Sequence, residues 1–162
     1  MELICDTTPL IHLTKIGFHT HFDAFDFKLN STSEIIKELK IENNKYPETV
    51  VLKKLVDERV LEIRDAQRLI PIIQGTSLGE ISVISLALEM NAVAVIDDRL
   101  AVNYARGLGL TTVFTPFFIF RAMVKNAIDR DEARDYISKL IDSGWRCDVE
   151  TYKNILAAIA KS

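Results

Sequence analysis

The chain has 162 residues, 48% of them apolar, enough for one domain with a substantial core and too short for several. A formal charge of −3 gives no overall electrostatic case for nucleic acid, although an acidic centre in a nuclease offsets basic residues elsewhere. Two cysteines without a CxxC pair exclude a disulfide framework and a zinc module.

Residues 2–5 (ELIC) form a short apolar strand that places Cys5 inside, as a buried free thiol, and ends at Asp6. Met1 leads straight into it without a basic or long apolar leader, and no apolar run approaches the length of a membrane span. A reduced, cytoplasmic protein with no membrane partner is expected. TTPLIHLTKIG reads as the first helix, with Thr7 as cap and Pro9 in the first turn. FDFKLN, at 25–30, alternates like a strand. STSEIIKELKIEN opens on hydroxyl caps and sets Ile35, Ile36 and Leu39 on one helical face.

A second amphipathic helix spans 47–58, and VLEIRD at 60–65 is a third strand. SLGEISVISLALEMN is a helix capped by Ser77, and AVAVID at 92–97 is the clearest buried strand. The rest is a helix through RLAVNYARGLG, a short strand TTVF, and helices near 116–127, 129–142 and 148–160, with Cys147 as a second free thiol. No repeat or linker interrupts residues 1–162, so the C-terminal helices from about 129 belong to the same domain. There is no GxGxxG or Walker sequence, and Gly107, Gly109 and Gly144 read as helix ends.

Alternating strands and helices predict a three-layer α/β/α domain with a mainly parallel sheet. Ligands of such sheets bind beyond the carboxyl ends of the strands, where strand order reverses. Asp6 closes the first strand, and Asp97 and Asp98 close the 92–97 strand. If those strands are neighbours, the acids share one rim, within reach of helices carrying Glu38 and Glu80. Converging carboxylates repel unless a cation neutralises them, and Mg²⁺ or Mn²⁺ favours oxygen ligands. The pattern points to metal-dependent chemistry on a phosphate ester.

Each acid also has a plainer reading. Asp6 is placed to cap the first helix, Glu80 sits in the first turn of its own helix, and Glu34 competes with Glu38 one turn away. Asp97–Asp98 resists such a reading, because adjacent acids closing a buried strand raise electrostatic energy without serving the fold.

His12, His19 and His21 match no metal spacing. FTPFFIFRAM, at 114–123, reads as core or as a dimer face, and base stacking is the less natural use. Trp145, beside Arg146, reads as packing for the C-terminal helices, with stacking on RNA as the lesser alternative. Arg106, Arg121 and Lys125 adjoin the rim in sequence, but Arg99, directly after Asp98, is the strongest candidate to hold a phosphate.

These segments together resemble the PIN domain, the ribonuclease fold shared by VapC-type toxins and by RNA-processing nucleases. The residues that carry the resemblance are Cys-Asp-Thr-Thr-Pro-Leu-Ile at 5–11, Glu38–Leu39, Leu-Gly-Glu at 78–80, Ile-Asp-Asp-Arg at 96–99 and Ala-Arg-Gly-Leu-Gly-Leu at 105–110. Ser-Gly-Trp-Arg at 143–146 is similar to the tail of a toxin-like archaeal and bacterial subgroup. The resemblance implies a Mg²⁺- or Mn²⁺-dependent endoribonuclease with Asp6, Glu38, Glu80 and Asp98 as its acidic quartet. Asp97 is then a further or substitute metal ligand.

Thr7, Thr8 and Arg99 become candidates for substrate contact. Thr8 stands where the family usually has Asn or Ser, and Ile96 replaces a Thr that often lies two positions before the last acid. RNA substrate, a homodimer and a small antitoxin partner follow from the same resemblance, with a catalytically quiet PIN-fold RNA-binding or assembly module as the alternative. A haloacid-dehalogenase-type phosphatase requires an Asp where Thr8 stands. A response-regulator receiver requires an acid pair before the first helix, which this chain lacks.

Overall fold

The computed structural model of the protein describes residues 1–43 and 45–161. Five parallel strands are β1 (Glu2–Cys5), β2 (Lys28–Ser31), β3 (Leu61–Ile63), β4 (Val93–Val95) and β5 (Thr112–Val113). Eight helices are α1 (Thr7–Lys15), α2 (Ser33–Leu39), α3 (Pro47–Asp57), α4 (Leu78–Met90), α5 (Arg99–Gly107), α6 (Phe117–Val124), α7 (Arg130–Asp142) and α8 (Val149–Lys161). The expected mainly parallel sheet is wholly parallel, in the order β3-β2-β1-β4-β5.

The chain builds outward from β1 through β2 to β3, then returns to the other side of β1 to lay down β4 and β5. The order therefore reverses between β1 and β4, which pair directly with Leu3 opposite Val93 and Cys5 opposite Val95. Strands flanked by helices are buried on both faces, which is why LIC and AV carry no polar alternation. Leu3, Ile4, Ala94 and Val95 are fully buried. Helix α4 lies in the core, with Ile81, Val83, Ile84 and Ala87 fully buried. A helix apolar all round must be enclosed on most of its surface.

Several expected elements shift. Strand β2 begins at Lys28, because Phe25 and Phe27 leave the strand to stack on each other at 4.5 Å and to pack against Phe118. A 3₁₀ turn over Phe18–Ala24, not anticipated, buries Phe18 and Phe22 in the same aromatic cluster. Helix α2 stops at Leu39 because Lys40 turns left-handed at φ 50, and Ile41–Asn43 continue as a 3₁₀ turn. Thr7 is the first helical residue of α1 rather than its cap; Asp6 occupies the cap position. Thr32 caps α2 by accepting from the Ile35 amide.

In the aromatic segment, Phe118 and Ile119 are fully buried, so the apolar surface expected over Phe117–Phe120 shrinks to the half-buried Phe117 and Phe120. Phe118 touches Phe22, Phe25 and Phe27 across the domain. Phe118→Ala is expected to lower unfolding free energy by about 3–5 kcal/mol, the cost of emptying a large, well-packed site. Urea denaturation checks this, and a loss below about 1 kcal/mol would show that the cluster is not a packing keystone. Among the described residues no helix is long and apolar enough to cross a membrane.

Candidate active site

The rim is built by the way strands end. The Asp6 amide still donates to the Val95 carbonyl at 3.1 Å, and the Ile96 amide to Val113 at 3.0 Å, before both chains leave the sheet. Asp6 and the Asp97–Asp98 pair therefore emerge together at the carboxyl edge, beside the reversal of strand order. Such a crevice is where open α/β sheets bind ligands. Asp6 is only 6% exposed, and its side chain makes no cap bond to α1. The plain reading of Asp6 as a helix cap thus loses its hydrogen bond.

Two helices bring the glutamates. Thr7 donates its hydroxyl to Glu38 Oε2 at 2.8 Å, joining α1 to α2 at the rim. Glu34, the competing acid, pairs with Lys37 at 3.2 Å. Glu80 Oε2 accepts from the Ser77 amide at 2.7 Å while Ser77 Oγ accepts from the Glu80 amide, a reciprocal capping box at the start of α4. Asp98 caps α5, its Oδ1 accepting from the Ala101 amide at 2.9 Å. Asp97 is held at both oxygens by Thr115, from the amide at 2.9 Å and the hydroxyl at 2.5 Å. Thr115 is fully buried and was not among the residues singled out from sequence.

Gly79 explains the glycine of the Leu-Gly-Glu segment. A Cβ at that position would collide with the Glu38 carboxylate, the movable end of a flexible side chain, so glycine leaves room for Glu38 where it now stands. Gly79→Ala is expected to push Glu38 off Thr7 without unfolding α4, since Ala favours a helix over Gly by about 1 kcal/mol. An NMR titration of Asp6 reads the displacement, because a departing Glu38 charge lets the Asp6 pKa fall. An unchanged Asp6 titration would mean that Glu38 had stayed.

The electrostatics tie these acids into one cluster. Burial raises the Asp6 pKa from its ordinary 3.8 to about 7; the Thr7 amide opposes the rise, and the charges of Glu80, Glu38 and Asp97 add to it. Burial likewise raises Glu80, with Asp98 and Glu38 contributing. Burial pushes the Cys5 thiol up as well, helped by Asp6 and Asp97, so it stays a neutral core residue. The donors are all oxygens carrying surplus negative charge, a set suited to a hard divalent cation. As they stand, no three of the Asp, Glu, His and Cys side chains among the described residues are gathered into a coordination shell.

Of the other candidates, Arg99 is exposed at the rim and Thr8 is half-buried on α1. Arg121 and Lys125 turn away to Asp26, at 3.5 and 3.0 Å. His12 is held below its usual pKa by burial, with Lys15 adding, and bonds Ser143 at 2.7 Å; His21 meets the Tyr136 hydroxyl at 2.9 Å. Each of these two imidazoles has a structural partner.

A wholly parallel, doubly wound sheet with acidic residues along the rim at its switch point defines a class of α/β domain. Residues 2–161 match the family described as DUF3368, a PIN domain, and the chain belongs to the PIN-domain family. PIN domains are commonly nucleases. The fold is similar to that of a PilT N-terminus domain protein from the hyperthermophilic archaeon Sulfolobus solfataricus P2, with a TM-score of 0.53 and 15% identity over 76% of this chain and 94% of that one. It is also similar to a domain of a functionally unknown protein from Methanocaldococcus jannaschii, with a TM-score of 0.50 and 17% identity over 70% of this chain and 89% of the other. At such identities the likeness is one of fold. No curated protein matches the chain.

Proposed function

We propose that this PIN domain is a divalent-metal-dependent endoribonuclease, the toxin of a toxin–antitoxin pair, that hydrolyses RNA phosphodiester bonds at the acidic rim. The observation that carries the reading is Asp6, a carboxyl buried at the rim whose pKa is raised to about 7 by burial first and by the charges of Glu80, Glu38 and Asp97 after it. A fold gains nothing from that repulsion; a cation site does.

Asp6, Glu80 and Asp98 would hold Mg²⁺ or Mn²⁺, with Asp97 as a further ligand and Glu38 completing the acidic set. A bound ion of this kind lowers the pKa of a water and stabilises charge on the leaving oxygen. The chain's own residues do the positioning. Thr7 fixes Glu38, and Ser77 fixes one oxygen of Glu80, leaving the other to orient a water. Thr115 locks the turn that presents Asp98, and Arg99 receives a phosphate oxygen while Thr7 and Thr8 border the substrate path.

The test is a panel of structured RNAs incubated with Mn²⁺, with and without EDTA. Cleavage that EDTA abolishes is expected. Intact RNA throughout, together with a stably bound partner, would favour a quiet PIN module. The homodimer and a small antitoxin belong to the same proposal. Sedimentation at high micromolar concentration should give twice the chain mass, and a monomer there would remove the dimer.

A further inference from the structure

Beside the acidic rim lies a cavity of about 630 Å³, walled by α5, β5, α8 and the segment that leads into α8. That volume falls within the range of about 300–1,000 Å³ typical of small-molecule sites. Asp97 and Arg99 belong both to the rim and to this wall. Three guanidiniums surround the cavity: Arg99, Arg106 and Arg146. Arg106 is steadied by donating Nε–H to Thr112 Oγ1 at 2.8 Å, and Arg146 donates to the Trp145 carbonyl at 3.3 Å. None of the three forms an ion pair among the described residues, whose salt bridges all involve other cations.

The carboxylates in the wall are already engaged. Asp97 accepts from Thr115, and Asp148 accepts from the Thr151 amide at 2.7 Å and hydroxyl at 3.0 Å. Those neutral donors fix the carboxylates without cancelling their charge, and three guanidiniums against two carboxylates leave the wall with positive charge in excess, next to a rim that is negative.

The floor is aromatic. Phe114 is 37% exposed and lies stacked on Trp145, with ring centroids 6.4 Å apart and planes inclined by 24°. Trp145 is 3% exposed, and its buried Nε1–H has no hydrogen-bond partner. A buried donor left unpaired is uncommon and calls for a reason. A flat ring backed by a second ring, ringed by planar guanidiniums, is the chemistry that receives a nucleobase and its phosphate. A simple anion site would need neither the aromatic floor nor this volume.

Resting on the nuclease reading above, we propose that this cavity is a nucleotide subsite that takes the base adjacent to the scissile phosphate of RNA. The base stacks on Phe114, Arg106 and Arg146 hold its flanking phosphate, and Arg99 bridges to the rim. The subsite would set which base the protein prefers at the cut. Phe114, Trp145 and Arg146 then have a shared role that the packing of the C-terminal helices alone does not explain.

The single tryptophan of the chain makes this directly measurable, since Trp145 reports on the cavity without interference. The intact protein is titrated in EDTA with the four 5′-nucleoside monophosphates, inorganic phosphate and an acidic peptide. At least one monophosphate should change Trp145 emission saturably, phosphate alone should not, and Arg106→Ala with Arg146→Ala should weaken the nucleotide about tenfold or more. Circular dichroism and unfolding midpoints confirm that the variants fold. Phe114→Ala should flatten the base preference at the cut.

Nucleotides that leave Trp145 unchanged, arginine variants that bind as the parent does, or an acidic peptide that alone saturates the site would each overturn the subsite. Mn²⁺-dependent cleavage with base preference intact in Phe114→Ala and in the arginine double variant would overturn it while the nuclease reading stands. Nucleotide binding without any metal-dependent cleavage would leave a nucleotide-binding cavity but remove the nuclease reading, and with it the cavity's role at the cut.

Discussion

Asp6→Asn is expected to abolish RNA cleavage while making the metal-free protein more stable at pH 8. The two effects share one cause. In an unfolded chain the Asp6 carboxyl ionises near 3.8, whereas in the fold burial and the neighbouring charges hold it near 7. As pH rises between those values, the unfolded state gives up its proton and the folded state keeps it. Stability attached to Asp6 is therefore present below the unfolded pKa and is lost as pH rises through the folded one. Above pH 7 the loss levels off at about 4 kcal/mol, the free energy of a difference of about three pH units.

Asn keeps the shape and an acceptor for the Thr7 amide but carries no charge, so this part of the pH slope should vanish in the variant. Urea unfolding at pH 5 and pH 8 measures it. Mn²⁺ added at pH 8 should stabilise the parent, because an ion bound only to the folded state adds stability, and should stabilise Asp6→Asn far less. A variant with the parent's pH slope would show that Asp6 is not the strained carboxylate. A variant stabilised by Mn²⁺ as much as the parent would show that Asp6 is not a ligand.

How far the sequence discloses this site depends on the range of each interaction. The acids closing β1 and β4 are legible, because a short apolar run followed by a carboxylate marks a strand leaving the core. Their convergence is not, since it needs β4 to return beside β1 after β2 and β3 have formed. That return is a property of topology. Thr115 is invisible for a similar reason: its bonds to Asp97 cross 18 residues and exist only because β5 lies beside β4.

Gly79 can be read as part of a motif, but its purpose, clearance for Glu38, appears only when α2 and α4 meet. Local pattern also misleads. The alternation of FDFKLN looks like a strand from Phe25, yet the rings are drawn into an aromatic cluster with Phe118, from a helix about ninety residues later. Arg121 and Lys125 look available for phosphate until Asp26, equally distant in sequence, takes both.

Asp98→Asn separates function from structure more cleanly than any other change at the rim. Asp98 caps α5 through Oδ1, and Asn is as good a cap as Asp, so the Ala101 hydrogen bond and the fold should persist. What disappears is the charge. In the metal-free protein Glu80 then loses the largest charge contribution to its raised pKa and should titrate lower. Cleavage should fall by orders of magnitude, because a metal ligand contributes several kcal/mol of transition-state stabilisation and each 1.36 kcal/mol is about tenfold in rate.

Asp97→Asn provides the contrast. Its carboxylate is spent on Thr115, and an amide can still accept from the Thr115 N–H, so the expected fall is smaller and accompanied by some loss of stability. Rates of both variants on one cleavable RNA with Mn²⁺, beside their unfolding curves, decide between the two acids. If Asp97→Asn proves the more damaging to cleavage at unchanged stability, the ligand role passes from Asp98 to Asp97, and Asp98 is left as the cap of α5.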